Sequence, residues 1–356
     1  AQIDAAGSVA SSASVSQHRH SDEQFRALFE PRKVLIAGAS SHPGKFGFVS
    51  LHNLLAGGFQ GTVQATNLQA ENVLGIQTVA SVQELANGSI DLVVVCTPAS
   101  TNLDLLRDCA AKGAKAAFIT SAGYGEAGES GKQAEAELVA LARSLGVLVA
   151  GPNGQGVVST PAKLCAQIVA PNPPRGRIAV ASQSGNFVSS FLNYARQTGV
   201  GISRAVSAGN AADVTPADYL DWYATDDETA VSLAYVEGIT DGQELIRRFA
   251  GVAAQKPLVV VKGGATEGGA RAAASHTGAL AANDTIFDGA CRQAGVTRAS
   301  SVEAAFEAAA TFATQPLPKG PNVVVLTTVG GWGVVTSDAI VADGSLNLMA
   351  LPDELD

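Results

Sequence analysis

The sequence predicts an α/β protein built from two successive parallel sheets with helices on both faces. Three observations carry this. Short apolar runs such as KVLIAG (33–38), IDLVVVC (90–96) and KPLVVVKGG (256–264) read as strands buried on both sides. Longer helical patterns alternate with them, the rhythm of right-handed βαβ units. Most strands end in glycine or another small residue, and the chain holds 38 Gly with only 5% aromatic residues. That composition suits tight βα turns and closely packed helices.

Residues 1–24, AQIDAAGSVASSASVSQHRHSDEQ, are Ala/Ser-rich without a clear apolar core, and are expected as a flexible leader rather than a signal peptide. The first domain is expected over 25–170. It opens with the strand KVLIAG, the loop ASSHPGKFG and the helix VSLHNLLAGG. The strand GTVQATN follows, then IDLVVVCTPAS with the helix TNLDLLRDCAAKG. AKAAFITSAG and VLVAGPNGQG are further strands around a helix at 131–145. Proline and charge interrupt the pattern at PNPPRGR, near 170–177, a domain boundary.

The second domain is expected over 171–315, with another parallel sheet. Its strands are GRIAVASQSG, ISRAVSAGN, AVSLAYVEG and KPLVVVKGG, and its helices fall at NFVSSFLNYARQTG, about 216–224 and 241–254. NDTIFDGACRQAG and SVEAAFEAAATFATQ are strongly helical. In 316–356, PNVVVLTTVGGWG reads as a strand and turn and SDAIVADG as the next helix. One βα unit cannot bury both faces of a sheet, so this tail is expected to join the second sheet or to open a third α/β domain.

The net charge of −9 and the lack of a basic block argue against a nucleic-acid surface. Cys96, Cys109, Cys165 and Cys291 are scattered, with no metal-ligand spacing. A reducing, cytoplasmic setting without structural zinc is expected. No apolar run reaches transmembrane length.

The first glycine loop carries chemistry. Gly38, Gly44 and Gly47 lie between a strand and a helix, where backbone N–H groups can hold phosphate and Lys45 can add a point charge. The spacing is neither GxGxxG nor a Walker loop, since Phe46 follows Gly44-Lys45. The second strand ends in Ala65-Thr66-Asn67, with no acid for a ribose diol, which disfavours NAD. A phosphate-rich ligand with an adenine fits; a turn needed only for packing is the alternative.

Four strand ends of the second domain collect small or polar groups: Ser182-Gln183-Ser184-Gly185, Ala208-Gly209-Asn210, Glu237-Gly238 and Lys262-Gly263-Gly264. In an open parallel sheet these ends share one edge. His276 follows the last of them among Ser, Gly and Ala residues. A neutral imidazole there can attack a phosphoryl group, and Glu237 can fix its tautomer. The helix starts after Gly185 and Thr277 can cradle the phosphoryl oxygens. Read alone, His276 fits an ordinary helix-start histidine and Glu237 a solvated carboxylate equally well. A-S-Q-S-G around Ser184 is not GxSxG, so a serine hydrolase is disfavoured. Gly330-Gly331-Trp332-Gly333 reads as a permissive turn, with Trp332 either stacking on a base or buried.

The strings IAGASSHPGKFG, FITSAGYGEAG, GPNGQG, VASQSG, VSAGNAADV, AYVEGITDG and SHTGALA stand in order over roughly 30–335. Together they resemble the alpha part of NDP-forming acyl-CoA synthetases, relatives of succinyl-CoA synthetase. The resemblance implies a Rossmann-like CoA-binding domain, then a flavodoxin-like domain. It places CoA at Gly38, Ser40, Pro43, Gly44, Lys45, Gly47, Pro98, Ser121 and Ala122. It makes His276 a phosphohistidine stabilised by Glu237. The phosphate would be held by Ser182, Gln183, Ser184, Gly185, Asn210, Ser275, Thr277 and Gly278. It implies reversible conversion of acyl-CoA, phosphate and ADP to carboxylic acid, CoA and ATP, with ADP/ATP and Mg2+ on an ATP-grasp beta subunit or domain, and a homo- or hetero-oligomer. The family's GPNC reads Gly-Pro-Asn-Gly here, with Gly154 in the cysteine's place, and its Gly-Arg after the strand lysine reads Gly263-Gly264. A CoA-binding sensor or scaffold that has lost turnover is the alternative.

Overall fold

The computed structural model describes residues 20–168, 172–239, 241–266, 268, 269, 271 and 283–350. Ser275, His276, Thr277 and Gly278 lie outside the described residues, as does most of the expected leader. Residues 21–24 instead open a helix, α1 (Asp22–Phe29), because Ser21 and Gln24 form a reciprocal capping box.

The first sheet contains β1 (Lys33–Ala37), β2 (Thr62–Thr66), β5 (Leu92–Val95), β6 (Ala116–Ile119) and β7 (Leu148–Ala150). Between β2 and β5 the chain makes a small antiparallel pair, β3 (Asn72–Val73) and β4 (Ile76–Gln77). The five strands run parallel in the order β2-β1-β5-β6-β7. The order reverses between β1 and β5, the switch point at which open α/β sheets bind ligands. Helices α2 (Phe46–Ala56), α3 (Asn102–Ala111) and α4 (Glu129–Leu145) connect these strands. Leu51 and Leu54 of α2, and Leu106 and Leu138 of α3 and α4, are fully or almost fully buried.

The second sheet contains β8 (Gly156–Ser159), β9 (Leu164–Gln167), β10 (Arg175–Ser182), β11 (Ile202–Ser207), β12 (Val231–Val236), β13 (Leu258–Lys262) and β14 (Thr297–Ala299). Its order is β14-β13-β12-β10-β11-β8-β9. Helices α5 (Gly185–Thr198), α6 (Pro216–Thr225), α7 (Gly242–Ala253), α8 (Asp284–Gln293) and α9 (Val302–Thr314) cover it. The expectation of a purely parallel sheet is corrected at one edge. The segment from β8 to β9 forms an antiparallel hairpin, and β8 pairs antiparallel with β11. A hairpin needs only a short turn, here with Lys163 at φ +51, whereas a parallel return needs a crossover helix. The two strands precede residue 171 yet belong to the second sheet.

Both sheets lie in one compact unit that reaches Ala313. Arg204 of β11 sits at their junction and is fully buried. Its Nε and Nη2 donate to the Asp226 carboxylate at 3.1 Å each, and Nη2 also donates to Glu30 at 2.5 Å. Nη1 donates to the Ser159 hydroxyl at 2.5 Å. Its guanidinium lies over Trp222, which stacks on Phe29 with centroids 5.1 Å apart.

A second unit begins at Thr314. In it, β15 (Asn322–Val323), α10 (Gly330–Asp343) and β16 (Asn347–Leu348) form a βαβ unit. The described residues thus give this segment its own two-stranded sheet, not a place in the second sheet. The expected long strand PNVVVLTTV shrinks to two residues, since one short partner supports a ladder no longer. The expected turn at Gly330 to Gly333 is the first turn of α10, following Val329, and Trp332 is 67% exposed rather than buried. Among the described residues, no helix is long and apolar enough to cross a membrane.

The Arg204 cluster yields a stability prediction. Burial pulls the Asp226 carboxyl up, but Arg204 and Thr229 outweigh it and hold the carboxyl below its ordinary value. A carboxyl held low in the fold stabilises fully above its unfolded pKa, near 4, and loses that contribution as pH falls through the folded value. Arg204→Met strands a buried carboxylate and should cost about 3–5 kcal/mol at pH 7 in urea unfolding. The variant should also lose less stability than the wild type on acidification below pH ~4, because a stranded Asp226 prefers its neutral form.

Candidate active site

At the carboxyl edge of the first sheet, Gly38 takes φ +84 directly after β1. A Cβ there would lie 2.9 Å from Thr97 Cγ2 and 3.0 Å from the Cys96 carbonyl oxygen. The loop after β1 therefore rests on the loop after β5, at the strand-order reversal. Gly47 in the first turn of α2 is more constrained, since a Cβ would fall 2.0 Å from the Gly38 carbonyl oxygen. The start of α2 is thereby drawn onto the end of β1. Lys45 is the N-cap of α2 and makes no side-chain cap bond.

Ser40 Oγ accepts the His42 N–H at 3.1 Å, and the Gly44 N–H donates to His42 Nδ1 at 3.0 Å. The loop residues from Ser41 to Phe46, Pro43 included, are exposed. His42, which the sequence reading did not weigh, thus shapes the turn that carries Gly44. This exposed loop and glycine-bound helix start form a cradle of the kind that accepts phosphate.

Pro98 opens the turn after β5, and Ser121 and the exposed Ala122 follow β6. A second residue missed from sequence, Asn102, binds these loops together. It is 1% exposed, and its Nδ2 donates to Ser121 Oγ at 3.2 Å and to the Tyr124 hydroxyl at 2.8 Å. Its Oδ1 accepts from Thr97 Oγ1 at 3.0 Å, and Ser121 Oγ donates to the Thr97 carbonyl at 2.6 Å. The residues expected to hold CoA thus lie in the loops at one end of the first sheet, except Gly47, which is in the first turn of α2. The signal in the sequence was Asn at the first position of a helix directly after a strand-end turn.

The second sheet brings Ser182, Gln183, Ser184, Gly185 and Glu237 together. Gln183 Oε1 accepts the Glu237 N–H at 2.7 Å and the Gly238 N–H at 3.2 Å. The Gln183 N–H donates to the Tyr235 carbonyl at 3.2 Å. This amide joins the ends of β10 and β12. Glu237 is 9% exposed, and the Tyr235 hydroxyl donates to its Oε2 at 2.9 Å. Burial, and then the neighbouring carboxylate, push the Tyr235 hydroxyl well above its ordinary value. It stays a donor through the physiological range. Ser182 Oγ accepts the Ser184 N–H at 3.1 Å and donates to the Ser184 carbonyl at 2.7 Å, shaping the start of α5.

Glycines again permit close approach. A Cβ at Gly263 would lie 2.5 Å from the Tyr235 hydroxyl and 3.0 Å from Glu237 Cβ, so a side chain there would displace the carboxylate. A Cβ at Gly185 would lie 2.3 Å from Gln155 Cδ. Gln155, in GPNGQG, therefore lies against the helix start expected to hold phosphate. Gly154 is accounted for as well: a Cβ would meet Phe118 Cζ at 2.6 Å and the Ser207 carbonyl at 2.8 Å. Lys262 ends β13 with its ammonium 3.4 Å from Asp284 and over the Phe287 ring.

One expected phosphate ligand is differently engaged. Asn210 Nδ2 donates to Glu126 Oε2 at 2.5 Å and to Glu135 Oε2 at 2.7 Å, both in the first domain. A cavity of about 250 Å³ opens beside it, lined among others by Gln183, Thr215, Val236, Gly238 and Arg248. Val236, the last residue of β12, packs toward α6 and α7, whereas Tyr235, whose hydroxyl binds Glu237, packs on the opposite face.

Comparison with known proteins agrees with the two-sheet α/β fold. Residues 32–160 match the family model described as CoA binding domain, and residues 175–312 match the succinyl-CoA ligase like flavodoxin domain. The chain is 38% identical over 324 residues to the alpha subunit of ADP-forming acetate–CoA ligase I of Pyrococcus furiosus, covering 90% of this chain and 70% of that one. It is 40% identical to ADP-forming acetate–CoA ligase I of Archaeoglobus fulgidus, covering 88% of this chain but 45% of that longer one. The dinucleotide forming acetyl-coenzyme A synthetase 1 of Ca. Korarchaeum cryptofilum, solved with phosphate and ADP, superposes with a TM-score of 0.86. It is 36% identical, and the match covers 93% of this chain and 71% of that one. The chain belongs to the ADP-forming acyl-CoA ligase family, in the part of that family represented by the alpha subunit.

Proposed function

We propose that this chain is the CoA-binding and phosphoryl-carrying component of an ADP-forming acyl-CoA ligase. It works reversibly between acyl-CoA, phosphate and ADP on one side and carboxylic acid, CoA and ATP on the other. The domains divide the work. Residues 25–170 hold CoA, 171–315 carry the phosphoryl group, and 316–356 open a third α/β segment. The observation that carries this reading is the Gln183 clamp, which fixes a buried, tyrosine-bound Glu237 carboxylate beside the glycine start of α5.

At the first sheet, Gly38 and Gly47 let the start of α2 close onto the end of β1, so that the backbone N–H groups of that helix start take the diphosphate and Lys45 supplies positive charge. CoA contributes a thiol as leaving group and acceptor. The loops carrying Pro98, Ser121 and Ala122 direct it toward the second sheet. There phosphate oxygen attacks the thioester carbonyl, the thiolate departs and takes up a proton, and an acyl phosphate remains. One His276 ring nitrogen attacks phosphorus, and the carboxylate leaves with the P–O bonding pair. Glu237 accepts the N–H of the other ring nitrogen and stabilises the positive imidazole. Backbone N–H groups at Gly185, with Ser184, Ser275, Thr277 and Gly278, hold the equatorial oxygens. An ADP terminal oxygen then displaces the imidazole from phosphorus. We assign the nucleotide and its Mg2+ to an ATP-grasp partner subunit or domain.

Incubation with an ATP-grasp partner, magnesium and γ-labelled ATP should place on this chain a label stable in base and lost in mild acid, as a phosphoramidate requires. His276→Asn should abolish it. Glu237→Gln should leave a label at least tenfold shorter-lived, since charge is lost and shape kept. Turnover without any label, or a label on another residue, contradicts the carrier role.

Calorimetry should show CoA binding by the chain alone, and Gly47→Val should weaken it at least tenfold by pushing α2 off Gly38. A folded wild-type chain without CoA affinity contradicts the assignment of the first domain. The purified single chain should neither form nor consume ATP.

A further inference from the structure

The Asn210 side-chain amide is engaged within the protein at both ends. Its two ends meet complementary partners. Nδ2 donates to the carboxylates of Glu126 and Glu135, while Oδ1 accepts from Asn153 Nδ2 at 3.3 Å. Carboxylates only accept, so this orientation of the amide is the one its surroundings allow. Its backbone N–H is tied too, donating to the Pro152 carbonyl at 3.0 Å. Asn210 follows Gly209, whose φ is +55 and whose Cβ would fall 2.1 Å from that same carbonyl. The loop after β11 is thus pressed onto the loop after β7.

Both acidic partners organise the segment that follows Ser121 and Ala122. Glu126 Oε1 accepts the N–H groups of Gly123 and Tyr124, at 2.5 and 3.2 Å. Glu135 Oε2 accepts the Gly125 N–H at 3.1 Å. Tyr124 in turn receives the hydrogen bond from Asn102, the residue that binds the loops after β5 and β6. A continuous chain of hydrogen bonds therefore runs from the end of β11 in the second sheet to the expected CoA-contacting loop in the first.

We propose that Asn210 is a positioning residue for the CoA site: its amide bridges Glu126 and Glu135 and so locks the loop at Ser121 to Gly125 against the second sheet. This rests on the reading of the first domain as a CoA site, but the lock itself is measurable without CoA. Two carboxylates converging on one NH2 group would repel each other without it. Burial raises Glu126, and the hydrogen bonds from Asn210, Gly123 and Tyr124 outweigh that and keep it ionised below its ordinary value. Among the described residues, the Tyr124 hydroxyl neighbours these carboxylates, Asp241, Glu244 and Arg248 line the cavity beside Asn210, and Asp213 on the same loop pairs with Arg143 and His20. Arg248 is engaged by Asp218 and Asp221.

The test is Asn210→Asp, which keeps shape and replaces the donor by a third carboxylate. Hydrogen exchange at the Gly123 and Tyr124 amides, expressed as protection factors, reads the lock directly. At pH 8 protection should fall at least tenfold relative to wild type. At pH 5 the loss should shrink to threefold or less, because three clustered carboxyls share protons. CoA affinity, by calorimetry, should fall at least fivefold at pH 8 and recover in parallel at pH 5. Glu126→Gln, which adds no charge, should give a smaller loss of protection with no pH dependence between these values, and serves if the aspartate variant fails to fold at pH 8. Unchanged protection at pH 8 overturns the proposal. So does a loss in Asn210→Asp that is equal at both pH values, which marks generic damage. Lost protection with unchanged CoA affinity overturns the positioning role. A wild type that binds no CoA overturns the CoA reading and with it the positioning role, while the exchange measurement still decides whether the lock exists.

Discussion

A fully buried guanidinium organises this molecule. Arg204 enters β11 at the interface of two sheets and is fully buried, so each of its N–H groups must find an acceptor inside the protein. It finds Asp226 at the end of α6, Ser159 in β8, and Glu30 beyond α1. Three segments far apart in sequence are therefore tied to one strand. The antiparallel hairpin is held to the second sheet, and α1 is held against α6 through the Phe29–Trp222 stack. A buried ion pair of this kind contributes little net energy over an apolar replacement, but breaking one half is costly, which makes the arrangement specific.

Fixing β8 has a functional consequence. Gly154, Gln155 and Gly156 lie between β7 of the first sheet and β8 of the second. Once β8 is in place, Gln155 is pressed against Gly185 at the start of α5. The same junction seats Gly209 on Pro152. The two sheets thereby touch near the carboxyl ends of their strands, where each has its polar loops. Glycines make the contacts possible, since any Cβ would meet backbone or a fixed side chain. A ligand held by the loops of one sheet is then within the neighbourhood of the other without a domain rearrangement.

Much of this was legible in the sequence, for identifiable reasons. Strands such as LVVV and VSLAYV are buried on both faces and so appear as unbroken apolar runs, and the loops after them stand out by glycine and small residues. GASSHPGKFG and ASQSG were found that way, and the structure brings them to strand ends as the pattern implies. The hairpin at 156–167 was not legible as such: two four-residue buried strands look the same whether they return parallel or antiparallel. Arg204 was invisible because one cation inside a strand carries no periodic signal, and its partners lie 22 to 174 positions away. Asn210 sat in a strongly family-like string, and its proximity to the strand end suggested a phosphate ligand. Only the fold reveals the two carboxylates that engage its amide. In the tail, Gly330 to Gly333 looked like a turn by composition, yet glycine is tolerated at a helix start where few backbone bonds are yet made.

The proposed function places CoA across the strand-order reversal of the first sheet, with its thiol end delivered to the Gln183–Glu237 edge of the second. A crystal structure of the chain with bound CoA tests this most directly. The account predicts the diphosphate against the start of α2 at Gly44 to Gly47, and the pantetheine arm passing Pro98 and Ser121 toward Gly185. A complex with CoA bound elsewhere, or with its thiol end turned away from Glu237 into solvent, would contradict it.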